Sequence, residues 1–184
     1  MPRLDRTRAV LLVIDVQEKL MPVIHDDKHV AQNIDRLLRG TRVVNVPAIV
    51  TEQYVKGLGA TIEPLRRTLE ETHGYRPIEK SCFSAQGCDA FVAQLEALER
   101  KQVLVAGIET HVCVYQTVKD LLVAGYEVTI IADAVSSRTA ENKEIALRRM
   151  VSDGAKLSST EMALFELVVV SGTEEFRAIS RIIK

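Results

Sequence analysis

The chain has 184 residues, of which 24 are basic and 25 acidic, and 47% are hydrophobic. This length and composition can bury a sizeable core, so we predict one domain over residues 1–184. The balanced charge disfavours nucleic acid as a partner, and no stretch approaches the roughly 20 apolar residues of a membrane span. We expect a cytoplasmic protein with free thiols, because residues 1–6 lack the apolar core of a secretory signal and the cysteine count of three is odd.

Strand-length apolar segments alternate with helical segments along the whole chain. The predicted strands lie at residues 9–15, 43–50, 77–80, 103–108, 127–132 and 155–158. The predicted helices lie at residues 27–40, 61–71, 89–100, 111–124, 140–152, 160–168 and 173–183. Gly40 is expected to end the first helix, and Ser171 with Glu174 to form a capping box before the last. The alternation predicts one doubly wound α/β unit with right-handed crossovers.

Two charged residues close predicted strands. Asp15 ends the first strand and Lys80 ends the short segment at 77–80. The carboxyl ends of parallel strands form the ligand crevice of such a sheet, so Asp15 could act there as a base. Asp15 could equally be a turn former, and an isolated lysine is usually solvated surface. The two positions alone leave both interpretations open.

The stretch from Val103 to Cys113 is the most informative part of the chain. An apolar run ends at Gly107, and Thr110 is a suitable N-cap for a helix that would carry Cys113 in its first turn. Free backbone N–H groups and the helix dipole at that place would lower the pKa of Cys113 below its usual value of about 8.5. The alternative is that Cys113 is a small buried apolar residue.

Several motifs together resemble one known family. The order Asp15, Lys80, Cys113 at strand ends resembles that of the isochorismatase-like cysteine hydrolases. The chain is most similar to the branch called isochorismatase-domain-containing proteins, over residues 15 to about 160. The motifs that carry this likeness are Asp-Val-Gln-Glu-Lys-Leu from Asp15, Thr51-Glu52-Gln53-Tyr54, Lys56-Gly57-Leu58-Gly59, Lys80-Ser81-Cys82-Phe83-Ser84, Gly107-Ile108-Glu109-Thr110 and Asp133-Ala134-Val135-Ser136-Ser137-Arg138.

The resemblance implies a fold and a mechanism. The fold would be a six-stranded parallel sheet with helices on both faces, a Rossmann-like three-layer sandwich. Asp15, Lys80 and Cys113 would be the catalytic triad of a hydrolase that cleaves a small amide or carbamoyl compound through a cysteine thioester. A cis peptide between Ile108 and Glu109 would aim the backbone N–H groups of Glu109 and Cys113 into an oxyanion hole. The family also implies a homo-oligomer, commonly a dimer or tetramer.

Other residues near the predicted crevice could contact the substrate. We expect residues 51–76 to form a loop with a short helix, as a lid over the site. Phe83 could instead be a core aromatic residue, and His111 could have no role in the site. The predicted pocket residues are Gln17, Gln53, Tyr54, Phe83 and His111.

We predict neither a metal nor another cofactor. The metal-dependent nicotinamidases of the family carry an Asp-x-His pair where this chain has Thr51-Glu52-Gln53, and no His-x-His or Cys-x-x-Cys spacing is present. Two other functions stay open. The chain could be a non-catalytic interaction protein on a hydrolase fold, or a thiol redox sensor that pairs Cys113 with Cys82.

Overall fold

A computed structural model describes residues 3–184, so residues 1 and 2 of the predicted domain lie outside the described residues. Its six strands form one sheet in the order β3-β2-β1-β4-β5-β6, and every neighbouring pair is parallel. This confirms the predicted six-stranded doubly wound sheet. The strands are β1 Ala9–Ile14, β2 Ala48–Gln53, β3 Ile78–Lys80, β4 Gln102–Ile108, β5 Glu127–Ser136 and β6 Lys156–Ser158.

Helices cover both faces of the sheet. A π-helical turn, Thr110–Val114, precedes α5, and short 3-10 turns lie at Met21–Val23 and Ala85–Gly87. Within residues 3–184, no helix is long and apolar enough to cross a membrane. The α-helices are α1 Asp27–Val43, α2 Val55–Leu58, α3 Glu63–Thr72, α4 Asp89–Ala97, α5 Tyr115–Val123, α6 Ala140–Ser152, α7 Thr160–Val168 and α8 Glu174–Ile183.

The core has two halves, one on each side of the sheet. Successive side chains of a strand point to opposite faces, and all six residues of β1 are buried, as expected for a central parallel strand. Ala9, Leu11 and Val13 pack in the cluster that contains apolar residues of α1, α3, α7 and α8. The alternate residues Val10, Leu12 and Ile14 pack in the cluster that contains those of α4, α5 and α6.

The boundary between α1 and β2 differs from the prediction. Gly40 does not end α1, which continues to Val43, and β2 begins only at Ala48. A Cβ atom on Gly40 would lie 2.5 Å from Cδ2 of Leu164, so this glycine lets α1 and α7 pack closely. Thr51 and Gln53 consequently lie inside β2 instead of after it.

Two helix starts also differ from the prediction. Thr173, not Ser171, caps α8, because its hydroxyl accepts the N–H of Phe176 at 3.1 Å. Thr110 does not cap α5 but opens the π-helical turn, and Glu109 precedes it in the left-handed region. Both changes leave the order of the elements intact.

Candidate active site

The three predicted catalytic residues lie at the carboxyl edge of the sheet. Asp15 follows β1, Lys80 is the last residue of β3, and Cys113 lies in the π-helical turn after β4. Strands β1 and β4 are neighbours although β2 and β3 lie on the other side of β1, so the strand order reverses between them. Such a reversal is where ligands bind in open α/β sheets.

Lys80 and Asp15 form a buried ion pair. Nζ of Lys80 lies 2.7 Å from Oδ2 of Asp15, and neither side chain is exposed to solvent. Nζ also donates to Oε1 of Gln53 at 2.7 Å and to the carbonyls of Cys82 and Phe83 at 3.2 and 3.1 Å. These contacts use the donors of the ammonium group, which offsets the cost of burying it.

The second oxygen of the Asp15 carboxylate is also bound. Thr51 Oγ1 donates to Oδ1 of Asp15 at 2.8 Å, and the charge of Asp15 also reaches Cys113, where it raises the pKa of the thiol. Thr51 and Gln53 reach the ion pair from β2 because residues two apart share one face of a strand. Sequence reasoning missed Thr51, and a correct boundary for β2 would have identified it through this period of two.

The pKa of Cys113 is raised, which corrects the lowered pKa that the sequence predicts. Burial and the negative charge of Asp15 raise the pKa of Cys113 to about 12, while the Lys80 cation opposes the rise. The charge of the Glu109 carboxylate contributes in the same direction as Asp15. The residue is only 5% exposed. Desolvation and two carboxylates therefore outweigh the nearby lysine in setting the pKa of Cys113.

The predicted cis peptide between Ile108 and Glu109 is not present. No peptide bond within residues 3–184 is cis, so this prediction is wrong for the structure described. The chain changes direction by other means: Gly107 has φ 138°, and Glu109 is left-handed with φ 57° and ψ 52°. A Cβ atom on Gly107 would lie 2.3 Å from the carbonyl oxygen of Ile14, so glycine is required there. The oxyanion hole of Glu109 and Cys113 stays a prediction.

Gln17 and Gln53 are structural neighbours of the triad. Gln17 Nε2 donates to the carbonyls of Gln53 and Gly59 at 2.9 and 2.6 Å, and its Oε1 accepts the Gln53 N–H at 2.7 Å. Gln53 Nε2 donates to the Ser81 carbonyl at 2.8 Å. Both side chains are buried. Their amide groups thus hold the loops that surround Lys80, and their contact with substrate stays a prediction.

Glu52 points away from Asp15. Its Oε1 accepts the N–H and the hydroxyl of Thr61, both at 2.7 Å, and the hydroxyl of Tyr75 at 2.5 Å. Burial, together with the Glu52 carboxylate, raises the pKa of Tyr75 to about 12. These bonds fasten the segment after α2 to the sheet, as does an isolated bridge between Gln17 and Thr61. A lid role for this segment stays a prediction.

The remaining pocket residues are more open. Tyr54 and Phe83 are 58% and 53% exposed. Nδ1 of His111 lies 3.0 Å from the Ser137 hydroxyl, and Nε2 lies 3.3 Å from Nη2 of Arg138. Arg138, which sequence reasoning noted only as part of a motif, thus joins the turn that carries Cys113 to the loop after β5.

The side chains of the described residues are not arranged to bind a metal ion. Within residues 3–184, no three His, Cys, Asp or Glu side chains cluster as metal ligands. Glu52 is the middle residue of Thr51-Glu52-Gln53, where the nicotinamidases have their Asp-x-His pair. Its carboxylate accepts hydrogen bonds from the hydroxyls of Thr61 and Tyr75. The absence of a metal stays a prediction. Cys82, Cys88 and Cys113 are all free thiols.

Comparison with known proteins gives consistent matches over nearly the full chain. The isochorismatase domain model matches residues 9–162. The secreted isochorismatase effector Isc1 of Phytophthora sojae is 38% identical over 188 residues, covering 99% of this chain and 87% of its own. Isochorismatase domain-containing protein 2 of Danio rerio is 38% identical over 182 residues, with coverages of 98% and 89%.

Solved structures share the fold. The MAR1 ribonuclease of Caenorhabditis elegans superimposes with a TM-score of 0.89 at 35% identity, covering 99% of this chain and 92% of its own. YcaC of Pseudomonas aeruginosa, solved with hexane-2,5-diol and covalent acrylamide, gives 0.88 at 26% identity, with coverages of 96% and 89%. YcaC of Escherichia coli, described as an octameric hydrolase of unknown specificity, gives 0.91 at 23% identity, with coverages of 100% and 90%.

Proposed function

The chain belongs to the isochorismatase family, and we propose that it is a metal-independent cysteine hydrolase of a small amide or carbamoyl compound. One observation carries the proposal: a buried lysine holds the Asp15 carboxylate at 2.7 Å, and that carboxylate is close enough to Cys113 for its charge to raise the pKa of the thiol. A nucleophile, its base and a group that orients the base are the parts that covalent catalysis requires.

The first half of the reaction forms a thioester. Asp15 accepts the thiol proton while Sγ of Cys113 bonds to the substrate carbonyl carbon, and the backbone N–H groups of Glu109 and Cys113 are proposed to hold the oxyanion. Asp15 then gives its proton to the leaving nitrogen, and the C–N bond breaks.

The second half restores the enzyme. Asp15 takes a proton from a water molecule, which attacks the thioester carbon. The C–S bond breaks, the acid leaves, and the proton returns to Cys113. Lys80 positions the Asp15 carboxylate through both halves, and Gln53 and Thr51 keep the pair aligned.

A screen of primary amides and N-carbamoyl compounds for ammonia release tests the proposal. The wild-type protein is expected to turn over at least one compound, and Cys113→Ala none. An acid-quenched sample is expected to gain the mass of the acyl group on the peptide that contains Cys113. Turnover that survives Cys113→Ala would contradict the proposal.

The two rival functions have weaker support from the site. A redox sensor uses an exposed thiol of low pKa, whereas Cys113 is buried and its pKa is raised. An interaction protein has no use for an unexposed ion pair whose charges act on a buried cysteine. Peroxide treatment separates a redox sensor from a hydrolase. A sensor is expected to form a Cys113–Cys82 disulfide, whereas the activity of a hydrolase does not require that disulfide.

RNA cleavage is the function that the name of the Caenorhabditis elegans relative suggests. The charge of this chain argues against RNA as its substrate, because 24 basic and 25 acidic residues nearly cancel. We therefore propose a small molecule as the substrate and no nucleic acid as a partner. Cleavage of a labelled RNA by wild type but not by Cys113→Ala would overturn this choice.

We also propose a homo-oligomer in the cytoplasm. Support for the oligomer is the octamer described for YcaC of Escherichia coli. Support for the cytoplasm is that all three cysteines are free, although the Phytophthora sojae relative is named as secreted. Fractionation of the source cells with an antibody to the chain tests the location, and recovery only outside the cells would refute it.

A further inference from the structure

A cavity lies at the amino edge of the sheet, at the opposite end of the strands from the triad. In its lining, Pro47 directly precedes β2 and Arg100 lies just before β4. The cavity has a volume of about 460 Å³. This volume suits a small organic molecule. The proposed hydrolysis uses none of the residues that line this amino-edge cavity, so any function of the cavity is a separate one.

The lining of the amino-edge cavity is positively charged. Arg42 comes from the last turn of α1, His73 follows α3, and Arg100 precedes β4. Within residues 3–184, no aspartate or glutamate lines the cavity, and no ion pair joins either arginine to a carboxylate. The chain as a whole has 24 basic and 25 acidic residues, so this excess of positive charge is local.

The pKa values of two of these groups are consistent with a missing negative charge. Burial lowers the pKa of His73, a hydrogen bond to the Leu38 carbonyl opposes the fall, and the charge of Arg42 adds to it. Burial also lowers the pKa of Arg100, and the charge of Asp5 opposes that fall. An anion in the cavity would supply the negative charge that the lining lacks and would favour the charged form of each group.

The guanidinium of Arg100 is held in place but keeps donors for a ligand. Its Nη1 donates to the carbonyls of Arg6 and Ala9 at 2.5 and 2.8 Å. A guanidinium has five N–H donors, so those on Nε and Nη2 are left over. Asn45 adds a side-chain amide to the lining, at a left-handed position with φ 58°. The cavity therefore offers hydrogen-bond donors together with positive charge.

Each arginine also has a structural explanation. A cation in the last turn of a helix is favourable, which accounts for Arg42 at the end of α1. The carbonyls of Arg6 and Ala9 account for one nitrogen of Arg100. Neither explanation accounts for two guanidinium groups and an imidazole that line one cavity without a carboxylate. The two explanations and a ligand site make different predictions for the variants below.

We propose that the amino-edge cavity binds the phosphate group of a small molecule, with Arg42 and Arg100 as its cationic partners. A phosphate monoester carries about −1.5 to −2 charges at pH 7 and three strong acceptor oxygens, which suits two guanidinium groups. The apolar lining residues leave space beside them for an organic group, and they are Val46, Pro47 and Leu98. The same phosphate chemistry is present in the free ion, and the first experiment separates the two sources.

Calorimetric titration at fixed ionic strength measures binding of ribose 5-phosphate, inorganic phosphate and acetate. Wild type is expected to bind both phosphates at least about tenfold more tightly than acetate, because acetate has one charge and two oxygens. Tighter binding of ribose 5-phosphate than of inorganic phosphate would assign the cavity to phosphate monoesters, and equal affinities would assign it to the free ion. Absence of phosphate binding at millimolar concentrations, or equal affinity for acetate, would overturn the proposal.

Arginine variants locate the binding. Arg42→Gln is expected to weaken phosphate binding by about tenfold or more, because a charge-assisted hydrogen bond is lost. Arg181→Gln removes the same charge from an exposed position on α8 and is expected to leave the affinity unchanged. Unchanged affinity in Arg42→Gln would overturn the proposal, whether or not thermal unfolding shows a loss of stability. Arg42 is exposed, so this variant is expected to fold.

The ring of His73 provides a second test that needs neither turnover nor calorimetry. Nε2 of His73 lies 2.9 Å from the Leu38 carbonyl oxygen, so it carries the proton of the neutral ring and Nδ1 takes the second proton. Nuclear magnetic resonance titration follows the pKa of His73 with and without inorganic phosphate. Bound phosphate is expected to raise this pKa by about 0.5 or more, since it stabilises the charged ring.

Internal controls make the His73 result specific. The other three histidines, His25, His29 and His111, lie near the carboxyl edge, and their pKa values are expected to stay unchanged. In Arg42→Gln, the pKa of His73 is expected to be higher without phosphate and to respond less when phosphate is added. The same pKa of His73 with and without phosphate would overturn the proposal and leave the proposed hydrolysis untouched.

Discussion

Asp15 has a hydrogen bond or ion pair on each carboxylate oxygen, from Thr51 on one and from Lys80 on the other. The position of the Asp15 carboxylate is therefore fixed by the fold itself. Cys113 lies in the π-helical turn after β4, where burial and the charge of Asp15 raise the pKa of its thiol to about 12.

Lys80→Met is expected to destabilise the protein by about 3–5 kcal/mol. The substitution leaves the Asp15 carboxylate buried without its cation, and breaking a buried pair costs more than the pair itself contributes. Urea unfolding measures the effect. Lys28→Met, at an exposed position, is the control and is expected to change stability by less than about 0.5 kcal/mol. Equal effects of the two substitutions would contradict the assigned burial.

The stability of the protein is expected to fall at alkaline pH because of Cys113. An unfolded thiol has a pKa near 8.5 and the folded one about 12, so above about pH 8.5 the unfolded chain loses a proton that the folded chain keeps. The stabilisation is complete below about pH 8.5 and is lost as pH rises toward 12, with a slope of at most about 1.4 kcal/mol per pH unit.

Cys113→Ala isolates this contribution, because it leaves the other titrating groups in place. The difference in unfolding free energy between wild type and variant is expected to shrink from pH 8.5 to pH 11. Parallel curves for the two proteins would show that the pKa of the folded thiol is not raised.

At the scale of elements, α1 and β2 meet at a boundary that differs from the prediction. Gly40 lies against Leu164 of α7 and does not end α1, which continues to Val43, and β2 begins at Ala48. Strand β2 pairs with β1 so that Thr51 aligns with Ile14, the residue before Asp15. The register of β2 on β1 thus determines which residues of β2 reach the site.

Gly40→Ala is expected to destabilise the fold by about 1–3 kcal/mol, although alanine favours a helix. The added Cβ would lie 2.5 Å from Leu164 Cδ2, and Leu164 is fully buried, so a shift of its side chain must displace packed neighbours. The double variant with Leu164→Ala is expected to be less destabilised than the sum of the single variants. Additive effects in thermal unfolding would show that the two residues do not contact.

For the whole molecule, one sheet with two buried faces predicts cooperative unfolding as a single domain. Urea unfolding followed by circular dichroism and by intrinsic tyrosine fluorescence is expected to give coincident transitions. Two separated transitions would contradict the single domain over residues 1–184. Light scattering of the native protein then gives its mass, and a value of 20.5 kDa would contradict the proposed homo-oligomer.

The sequence by itself determined the strand and helix order and the positions of Asp15, Lys80 and Cys113 at strand ends. These are local properties, because apolar runs and their periodicity specify elements, and parallel strands bring their carboxyl ends to one edge. The start of β2 could not be predicted in this way, because an apolar residue such as Val43 fits the end of a buried helix as well as the start of a strand.

Only the tertiary structure decided the protonation of Cys113, the turn at Glu109 and the partners of Lys80. The pKa of a thiol depends on how completely distant segments remove it from water and on which charges they bring near. Thr51 reaches Asp15, and Arg138 reaches Glu109, across 36 and 29 positions of the chain. Sequence pattern identifies such residues as members of elements, and only packing brings their side chains together.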